Sequence, residues 1–422
     1  RQKTSGILLI LCAVIAMMIA NSPLHHHFEH LLHTKLAMSF GEHLFSLSLH
    51  HWINEALMAL FFFVMGLELK REFMVGELSR FRQALLPMIA AVGGMIMPAV
   101  LYLTVNYQGE AVVGWGIPMA TDIAFAIGVL SLLGDRVPRS LLTFLIALAI
   151  VDDLGAVVVI ALFYTAKVNL VALAYALLVI ALLAVMNLVG IRRVLPYSLV
   201  GILLWLTILS SGIHATIAGV VLAFCIPIRP KYDVEHFINR VRGLSQQMKK
   251  SLSDNPDIIH NDELRTQVTA MSNGVMLVQA PAQKLEHALH LPVAYLIIPL
   301  FALANAGIPI AFGSFFSDLA LPVTLGIIFG LFAGKLLGIV GFTFVAMKMG
   351  IVSLPKDLNM RHIIGVGLLG GIGFTMSIFI ADLGFQGQAE LLQQAKTGII
   401  FSSLLSGLSG YFWIARVCSA TK

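Results

Sequence analysis

Charged residues are scarce in this sequence. Asp, Glu, Lys and Arg together make up 12% of its 422 residues, whereas soluble domains usually carry about twice that fraction. A protein folded in water needs polar side chains on almost every surface element, so this composition excludes an ordinary soluble domain. The 58% of hydrophobic residues favours a surface that meets membrane lipid.

Cysteine is scarcer still. Cys12, Cys225 and Cys418 are odd in number, lie far apart and fall in or beside apolar segments. Their spacing excludes a disulfide framework and matches no metal-ligand motif. We therefore predict a protein without a resident cofactor.

The basic residues form no continuous patch, although the net charge is +5. Lys and Arg occur in short clusters between apolar runs, and not along one face of a predicted element. This distribution excludes nucleic acid as the expected partner and is typical of loops between membrane spans.

Long apolar runs recur along the whole chain. Each is long enough to cross about 30 Å of hydrocarbon, and together they predict an all-α polytopic membrane protein with a single transmembrane domain over 1–422. The runs are 5–22, 53–69, 84–105, 115–133, 139–163, 168–189, 195–210, 213–228, 292–310, 322–347, 361–384 and 396–415. Little more than Ser211 and Gly212 separates the seventh run from the eighth, so eleven spans is the alternative. A cleaved signal peptide is the alternative for the first run, and the lack of a small-residue cleavage site disfavours it.

Orientation follows from Lys and Arg, which favour cytoplasmic loops. With the N-terminus inside, almost all of them fall on the cytoplasmic side, and only Lys35, Lys167 and Lys396 fall outside. We therefore expect a bacterial inner-membrane protein with both termini in the cytoplasm. Residues 23–52 become a periplasmic loop with eight histidines, a solvated loop or short hairpin, with adventitious metal binding as the alternative. Residues 229–291 become a long cytoplasmic connector, with a regulatory or docking segment as the alternative.

Four ionisable residues lie within the apolar runs: Asp122, Asp152, Asp153 and Lys335. Each costs about 2.5–3.5 kcal/mol to insert at the centre of a span. An ion pair that only tethers two helices needs one acid and one base, not three acids and one base. The set therefore predicts a pathway for ions or protons.

The fourth and eleventh spans are interrupted near their middles, by Pro118 with small residues before Asp122 and by the glycine cluster 370–373. They are the middle members of two triples, spans 3–5 and 10–12, and they run in opposite directions. Such a pair predicts inverted-topology repeats whose broken helices cross at mid-membrane. Unwound backbone is tolerated there only where it is buried or lines a cavity. Helix ends at that depth carry partial charges. We expect Asp122 to offset the partial positive charge of N-terminal ends and Lys335 the partial negative charge of C-terminal ends.

Asp152 and Asp153 are adjacent, so on a helix they point roughly 100° apart. One can pair with Lys335 while the other faces a cation, and the sequence does not assign which. Carboxylate oxygens are hard ligands suited to sodium-like ions, and Thr121 can add a hydroxyl oxygen.

Several motifs together are similar to those of the NhaA family of sodium/proton antiporters, and the similarity runs nearly end to end. They are GLELKRE at 66–72, ATDIAFA at 120–126, VDDLGA at 151–156, SGIHAT at 211–216, GK at 334–335 and GIGFTMS at 371–377. This family is itself a known example of inverted repeats with broken helices.

The resemblance implies a secondary transporter, not an enzyme, that exchanges cytoplasmic Na⁺ or Li⁺ for external protons. It implies electrogenic exchange that is activated at neutral to alkaline pH and serves sodium and pH homeostasis. Na⁺, Li⁺ and H⁺ are then the expected partners, together with membrane lipid and a second copy of the chain bound through loop 23–52.

The resemblance also implies roles for single residues. Asp152 and Asp153 carry the cation and the protons, while Thr121, Asp122, Lys335, Gly371 and Gly373 form the broken-helix site and balance its charge. Lys335 pairs with Asp152. The residues that resemble those tied to pH response are Glu68, Glu72, His214 and Glu286. For the glutamates the alternative is a solvated helix end with local ion pairs, and for His214 a buried, hydrogen-bonded histidine.

The chain departs from the family pattern at Glu55, at Gln283, at Leu336 where proline is usual, and in a longer insertion near 229–280.

Two other classes fit less well. An intramembrane aspartyl protease needs Tyr-Asp and Gly-x-Gly-Asp motifs, which Thr121-Asp122 and Val151-Asp152-Asp153 do not supply. A cation channel needs a repeated carbonyl filter or a ring of charges, and no such repeat occurs.

Overall fold

The computed structural model describes residues 2–40, 43–165, 168–230, 234–254, 261–309 and 315–419. Within these ranges the protein is helical apart from one small sheet. Eight helices are long and apolar enough to cross a membrane, three further pairs of helices are bent at a short break, and one apolar helix is shorter. Each of the twelve predicted runs overlaps one of these elements.

For reference we number the candidate spans, of which there are up to eleven in the described residues, together with the shorter apolar helix Thr216–Cys225, as spans 1 to 12 in chain order. Their bounds are Gln2–Ala20, Leu49–Met74, Phe81–Val105, Glu110–Met119 with Ile123–Ser131, Arg139–Phe163, Leu170–Leu188, Val194–Ser211, Thr216–Cys225, Pro281–Asn305, Pro322–Lys348, Met360–Gly370 with Phe374–Gly384, and Ala389–Ser419. Short π-helical stretches interrupt spans 2, 9 and 10 at Trp52–Leu57, Val293–Ile297 and Phe329–Gly334. The other short helices are Glu77–Ser79, Gly134–Arg136 and Phe315–Leu319.

The segment between spans 1 and 2 is ordered into a helix and two strands. Helix His25–His33 bends away from span 1 by 111°. Strands β1 (Lys35–Phe40) and β2 (His43–Ser48) pair antiparallel, with Lys35 opposite Ser48.

The segment 229–291, predicted as a connector, contains two helices and the start of span 9. Helices Val234–Asp254 and Asp262–Val278 pack on each other, with Phe237 against Gly274. Span 9 begins at Pro281 and not at 292. Its first turns carry Lys284 and Glu286, and these polar residues hide the start of the helix from a search for apolar runs.

The helices form two groups. Spans 3, 4, 5, 10, 11 and 12 pack around the predicted site, and spans 2, 6, 7, 8 and 9 pack beside them, while span 1 contacts both groups. The first group is tightly packed through glycines of span 10. A Cβ added at Gly334 would lie 2.6 Å from Pro98 Cα, and one at Gly338 would lie 2.1 Å from Gly93 O. Small residues four apart let two helix backbones approach closely, and this contact fixes Lys335 opposite span 5.

Candidate functional site at the crossing of two broken spans

Spans 4 and 11 break at the predicted places and touch there. Span 4 bends by 41° between Met119 and Ile123, and span 11 bends by 45° between Gly370 and Phe374. The Asp122 N–H donates to Ile372 O at 2.7 Å. A backbone group freed by one break is thus satisfied by the other, as buried backbone requires.

The Asp122 carboxylate lies on the N-terminal ends of two half-helices. Its Oδ1 accepts from the N–H of Phe125 at 3.0 Å, and its Oδ2 accepts from the N–H and the hydroxyl of Thr375 at 3.0 and 2.5 Å. Helix N-termini carry partial positive charge and free N–H groups. Asp122 is 2% exposed, and its charge is offset by these two helix ends.

Thr121 links the crossing to span 5. Its Oγ1 lies 2.6 Å from Asp152 Oδ2 and 2.9 Å from Gly370 O, so its hydroxyl can donate to either acceptor. Thr121 is fully buried. It therefore connects the carbonyl end of the first half of span 11 to the carboxylate on span 5.

Asp152 and Lys335 form a buried ion pair through Asp152 Oδ2. Both side chains are completely inaccessible to solvent. The second oxygen, Asp152 Oδ1, is buried and has no hydrogen-bond partner among the described residues. The lysine is the first residue after the π-helical stretch of span 10, an irregularity that often accompanies functional sites. The described contact of its ammonium group is with Asp152, and the expectation that Lys335 offsets C-terminal helix ends stays a prediction.

Asp153 is the least constrained of the three acids. It is 5% exposed, and its Oδ1 is buried with no hydrogen-bond partner among the described residues. It still lies close enough to Asp152, Asp122 and Lys335 to interact with them electrostatically. A buried carboxylate oxygen without a donor is costly, so this oxygen is available to an incoming proton or cation.

Gly371 and Gly373 lie in the break of span 11, where space is limiting. A Cβ at Gly371 would meet Ser406 Oγ at 2.4 Å and Leu331 O at 2.5 Å, and one at Gly373 would meet Ser377 Oγ at 2.2 Å. Both residues have ordinary negative φ angles, −72° and −90°. Glycine is therefore required here for close packing and not for a left-handed backbone.

Sequence reasoning did not assign roles to three hydroxyl residues around the crossing. Thr375 donates to Asp122, Ser377 Oγ donates to Ile117 O at 2.8 Å, and Ser403 Oγ accepts from the N–H of Phe374 at 3.2 Å. Thr375 and Ser377 belong to a recognised motif. Ser403 lies on span 12, far along the chain, and only the fold brings it to the break.

The glutamates predicted for pH response meet at one end of spans 2 and 9. Arg71 Nε lies 3.4 Å from Glu286 Oε1, and Arg71 Nη2 lies 3.3 Å from Glu72 Oε1. His290 Nδ1 lies 3.6 Å from Glu68 Oε1. All three glutamates therefore belong to one cluster of ion pairs.

His214 lies elsewhere. Its Nε2 is 3.0 Å from Tyr164 O, and its Nδ1 is 3.9 Å from Glu55 Oε1. Glu55 also accepts from the N–H of Ala215 at 3.1 Å. Thirteen residues of helix separate Glu55 from Glu68, so His214 is about 20 Å along span 2 from the glutamate cluster.

In the described ranges, no three His, Cys, Asp or Glu side chains are grouped as in a metal centre.

Comparison with known proteins places this geometry in a family. The profile of the family described as Na⁺/H⁺ antiporter 1 matches residues 1–414. The Na⁺/H⁺ antiporter NhaA 1 of Saccharophagus degradans is 51% identical over 417 residues, which cover 99% of this chain and 90% of the relative. The Na⁺/H⁺ antiporter NhaA of Sulfurimonas denitrificans is 50% identical and that of Wolinella succinogenes 46%; the matches cover all of this chain and 95% and 92% of those relatives. The chain belongs to the NhaA family of Na⁺/H⁺ antiporters, multi-pass membrane transporters that exchange sodium ions for protons.

Proposed function

We propose that this protein exports cytoplasmic Na⁺ in exchange for external protons, and that Asp152 and Asp153 are the shared site for both ions. The observation that best supports this proposal is the Asp153 carboxylate, which is buried beside the Lys335–Asp152 pair and has one oxygen with no hydrogen-bond partner in the part of the chain that the structure describes. An acid in this setting can be neutralised either by a proton or by a cation, which is the chemistry that exchange requires. Li⁺ is a hard cation like Na⁺ and is expected to use the same oxygens.

The neighbouring residues support the site. Asp122 balances two helix N-termini, Lys335 balances Asp152, and Thr121 holds the two parts together. Gly371 and Gly373 keep the break of span 11 close to spans 10 and 12.

Charge counting favours electrogenic exchange. Asp122, Asp152 and Asp153 against Lys335 leave a formal charge of −2 when all four are ionised. One Na⁺ reduces this charge to −1, whereas two protons cancel it, and a site of low dielectric constant favours the neutral state. More than one proton then returns for each Na⁺, so the membrane potential contributes about 2.3 kcal/mol per charge per 100 mV. Sodium gradients should therefore drive currents on solid-supported membranes, with a sign that reverses with the gradient.

Activation at neutral to alkaline pH follows from competition, because protons occupy the carboxylates when they are abundant. The cluster of Glu68, Glu72 and Glu286 with Arg71 lies at the Lys70 end of span 2, and we propose that it regulates the exchange. His214 either makes a structural contact with Glu55 or is a second residue that responds to pH.

The distribution of Lys and Arg places the Lys70 end of span 2 in the cytoplasm of a bacterial inner membrane, with both termini on that side. Loop 23–52 is then periplasmic. Strands β1 and β2 form a two-stranded sheet, whose outer edges carry free backbone groups. A second copy of the chain can pair with such an edge, and we propose a homodimer in the lipid bilayer.

The test is a pH-sensitive dye in everted membrane vesicles energised to an acid interior. Adding Na⁺ or Li⁺ should release the fluorescence quench at pH 8, and adding K⁺ should not. Equal responses to all three cations, or none, would contradict the proposed exchange.

A further inference from the structure

A second group of polar residues lies apart from the ion site and has no role in the exchange chemistry described above; two of its five members are buried and three are partly buried. We call it the outer polar network. Its members are His50, Asn54, Asn305, Asp382 and Lys396. They come from spans 2, 9, 11 and 12, at the ends opposite the Lys70 end of span 2.

The two asparagines satisfy each other. Asn305 Nδ2 donates to Asn54 Oδ1 at 2.9 Å and to Phe301 O at 3.0 Å. Asn305 Oδ1 lies 2.9 Å from His50 Nε2. Asn54 is 9% exposed and Asn305 is 1% exposed, so the bonds that Asn305 donates to Asn54 and Phe301 are made out of contact with water, while the contact with His50 is partly buried.

Asn54 also reaches across to the other helix group. Its Nδ2 lies 3.3 Å from Asp382 Oδ2, and Asp382 Oδ1 lies 3.3 Å from Lys396 Nζ. Spans 2 and 9 belong to one helix group, and spans 11 and 12 to the group that carries the ion site. The contact between Asn54 and Asp382 therefore joins the two groups.

An aromatic layer separates this network from the ion site. Along span 11, Thr375 contacts Asp122, Phe379 follows one turn later, and Asp382 lies about 10 Å beyond Thr375. The Phe379 ring packs against Phe62 of span 2 at 5.5 Å and against Phe301 of span 9 at 6.1 Å. All three rings are buried. An apolar constriction of this kind excludes water.

We propose that the outer polar network is a latch: its contact between Asn54 and Asp382 holds the ion site closed to the outside and separates when the site opens outward. Buried polar groups that lose a partner must gain water or remain unsatisfied. Separation of the latch is thus coupled to entry of water on the side of the aromatic layer that faces away from the ion site. The latch rests on the orientation and exchange proposed above, and it sets the balance between closed and outward-open states.

The test measures access from outside at a buried position next to the latch. Met58 is 2% exposed and lies one turn from both Asn54 and Phe62 on the same face of span 2. Met58→Cys, in a chain carrying Cys12→Ser, Cys225→Ser and Cys418→Ser, is labelled in right-side-out vesicles with a cationic, membrane-impermeant methanethiosulfonate. Adding Asn54→Ala should raise the labelling rate roughly two- to tenfold, the population shift expected from loss of the one hydrogen bond between Asn54 and Asp382.

Asp382→Asn serves as the second variant, because it keeps an acceptor for Asn54 but loses the ion pair with Lys396, and it should raise the rate less. The matched control is Asn106→Ala. Asn106 is 3% exposed and donates to Pro322 O at 2.9 Å, a contact between spans 3 and 10 of the same helix group.

An unchanged labelling rate in Asn54→Ala and Asp382→Asn overturns the latch, as does an equal rise in Asn106→Ala. A rise seen only in inside-out vesicles also overturns it, because the network would then face the inner side. Sodium-dependent proton movement by the parent chain is measured in parallel, so a failure of the exchange itself is recognised separately.

Discussion

Asp122 and Asp153 are both buried acids near one crossing of helices, yet their surroundings differ. Asp122 accepts three hydrogen bonds from the N-terminal ends of two half-helices. Asp153 has a buried oxygen that accepts none in the described structure. Asp152 is intermediate: one of its oxygens contacts Lys335 and Thr121, and the other has no hydrogen-bond partner among the residues described. We propose that Asp122, which has its donors, holds the two half-helices together, and that Asp153, one of whose oxygens lacks a donor in the described structure, exchanges ions.

The sharpest way to break this comparison is to neutralise Asp153. Asp153→Asn should reduce sodium-dependent proton movement by roughly 100-fold or more, because it removes both the charge that attracts Na⁺ and the group that carries a proton. Asp152→Asn should have a similar effect. Everted vesicles with a pH-sensitive dye measure it, and Asp262→Asn, which changes an exposed acid outside the site, is the matched control. Activity close to that of the unmodified protein in Asp153→Asn would exclude this residue from the site.

Substituting Lys335 tests whether Lys335 and Asp152 contribute to stability as a pair. Lys335→Ala leaves an uncompensated buried carboxylate, and breaking such a pair typically costs about 3–5 kcal/mol. The melting temperature in detergent should fall, and adding Asp152→Asn should recover part of the loss because the stranded charge is gone. Strictly additive losses in the double variant would show that the two residues do not act as a pair.

Neutralising Asp122 should reduce the exchange rate less than neutralising Asp153. Asp122→Asn keeps an oxygen for the half-helix ends but loses the negative charge, and a charge at a helix end is worth up to about 2 kcal/mol. We expect turnover to fall about tenfold, with exchange still measurable in the same vesicles. Complete loss of exchange in Asp122→Asn, matching Asp153→Asn, would erase the distinction between the two acids.

Glu68, Glu72 and Glu286, which form ion pairs, are a third environment for acidic side chains. Substituting one of them should change transport less than substituting Asp122 or Asp153. In one case, protons at the site act only by competing with Na⁺. The half-saturating Na⁺ concentration should then rise roughly tenfold per pH unit of acidification for each competing proton. Saturating Na⁺ should in that case restore the full rate at pH 6. If the rate is not restored, a separate gate acts, and Glu286→Gln should then shift the activation profile while the maximal rate at pH 8.5 stays the same. Initial rates across pH and Na⁺ concentration in vesicles distinguish these cases. A Glu286→Gln profile identical to that of the unmodified protein would remove the cluster from regulation.

Sequence patterns predicted the spans, the two breaks and the four buried charges, because apolar length, Pro118, the glycines of 370–373 and intramembrane Asp and Lys are local features. They could not show that Asp122 binds Thr375, that Ser403 reaches Phe374 or that Asn54 meets Asp382, since these contacts join residues 29 to 328 positions apart. Polar residues such as Lys284 and Glu286 also hid the first turns of span 9. The pairing of Lys335 with Asp152 is seen in the structure, whereas its expected effect on C-terminal helix ends stays a prediction.

The most direct test of the central claim is proton release when Na⁺ binds to the purified protein. In weakly buffered detergent solution near the midpoint of activation, adding Na⁺ should acidify the medium if the ion displaces protons from Asp152 and Asp153. The account predicts clear release by the unmodified protein and by Asp122→Asn, and almost none by Asp153→Asn. Undiminished release by Asp153→Asn, or Na⁺ binding without any release by the unmodified protein, would contradict exchange at this pair of acids.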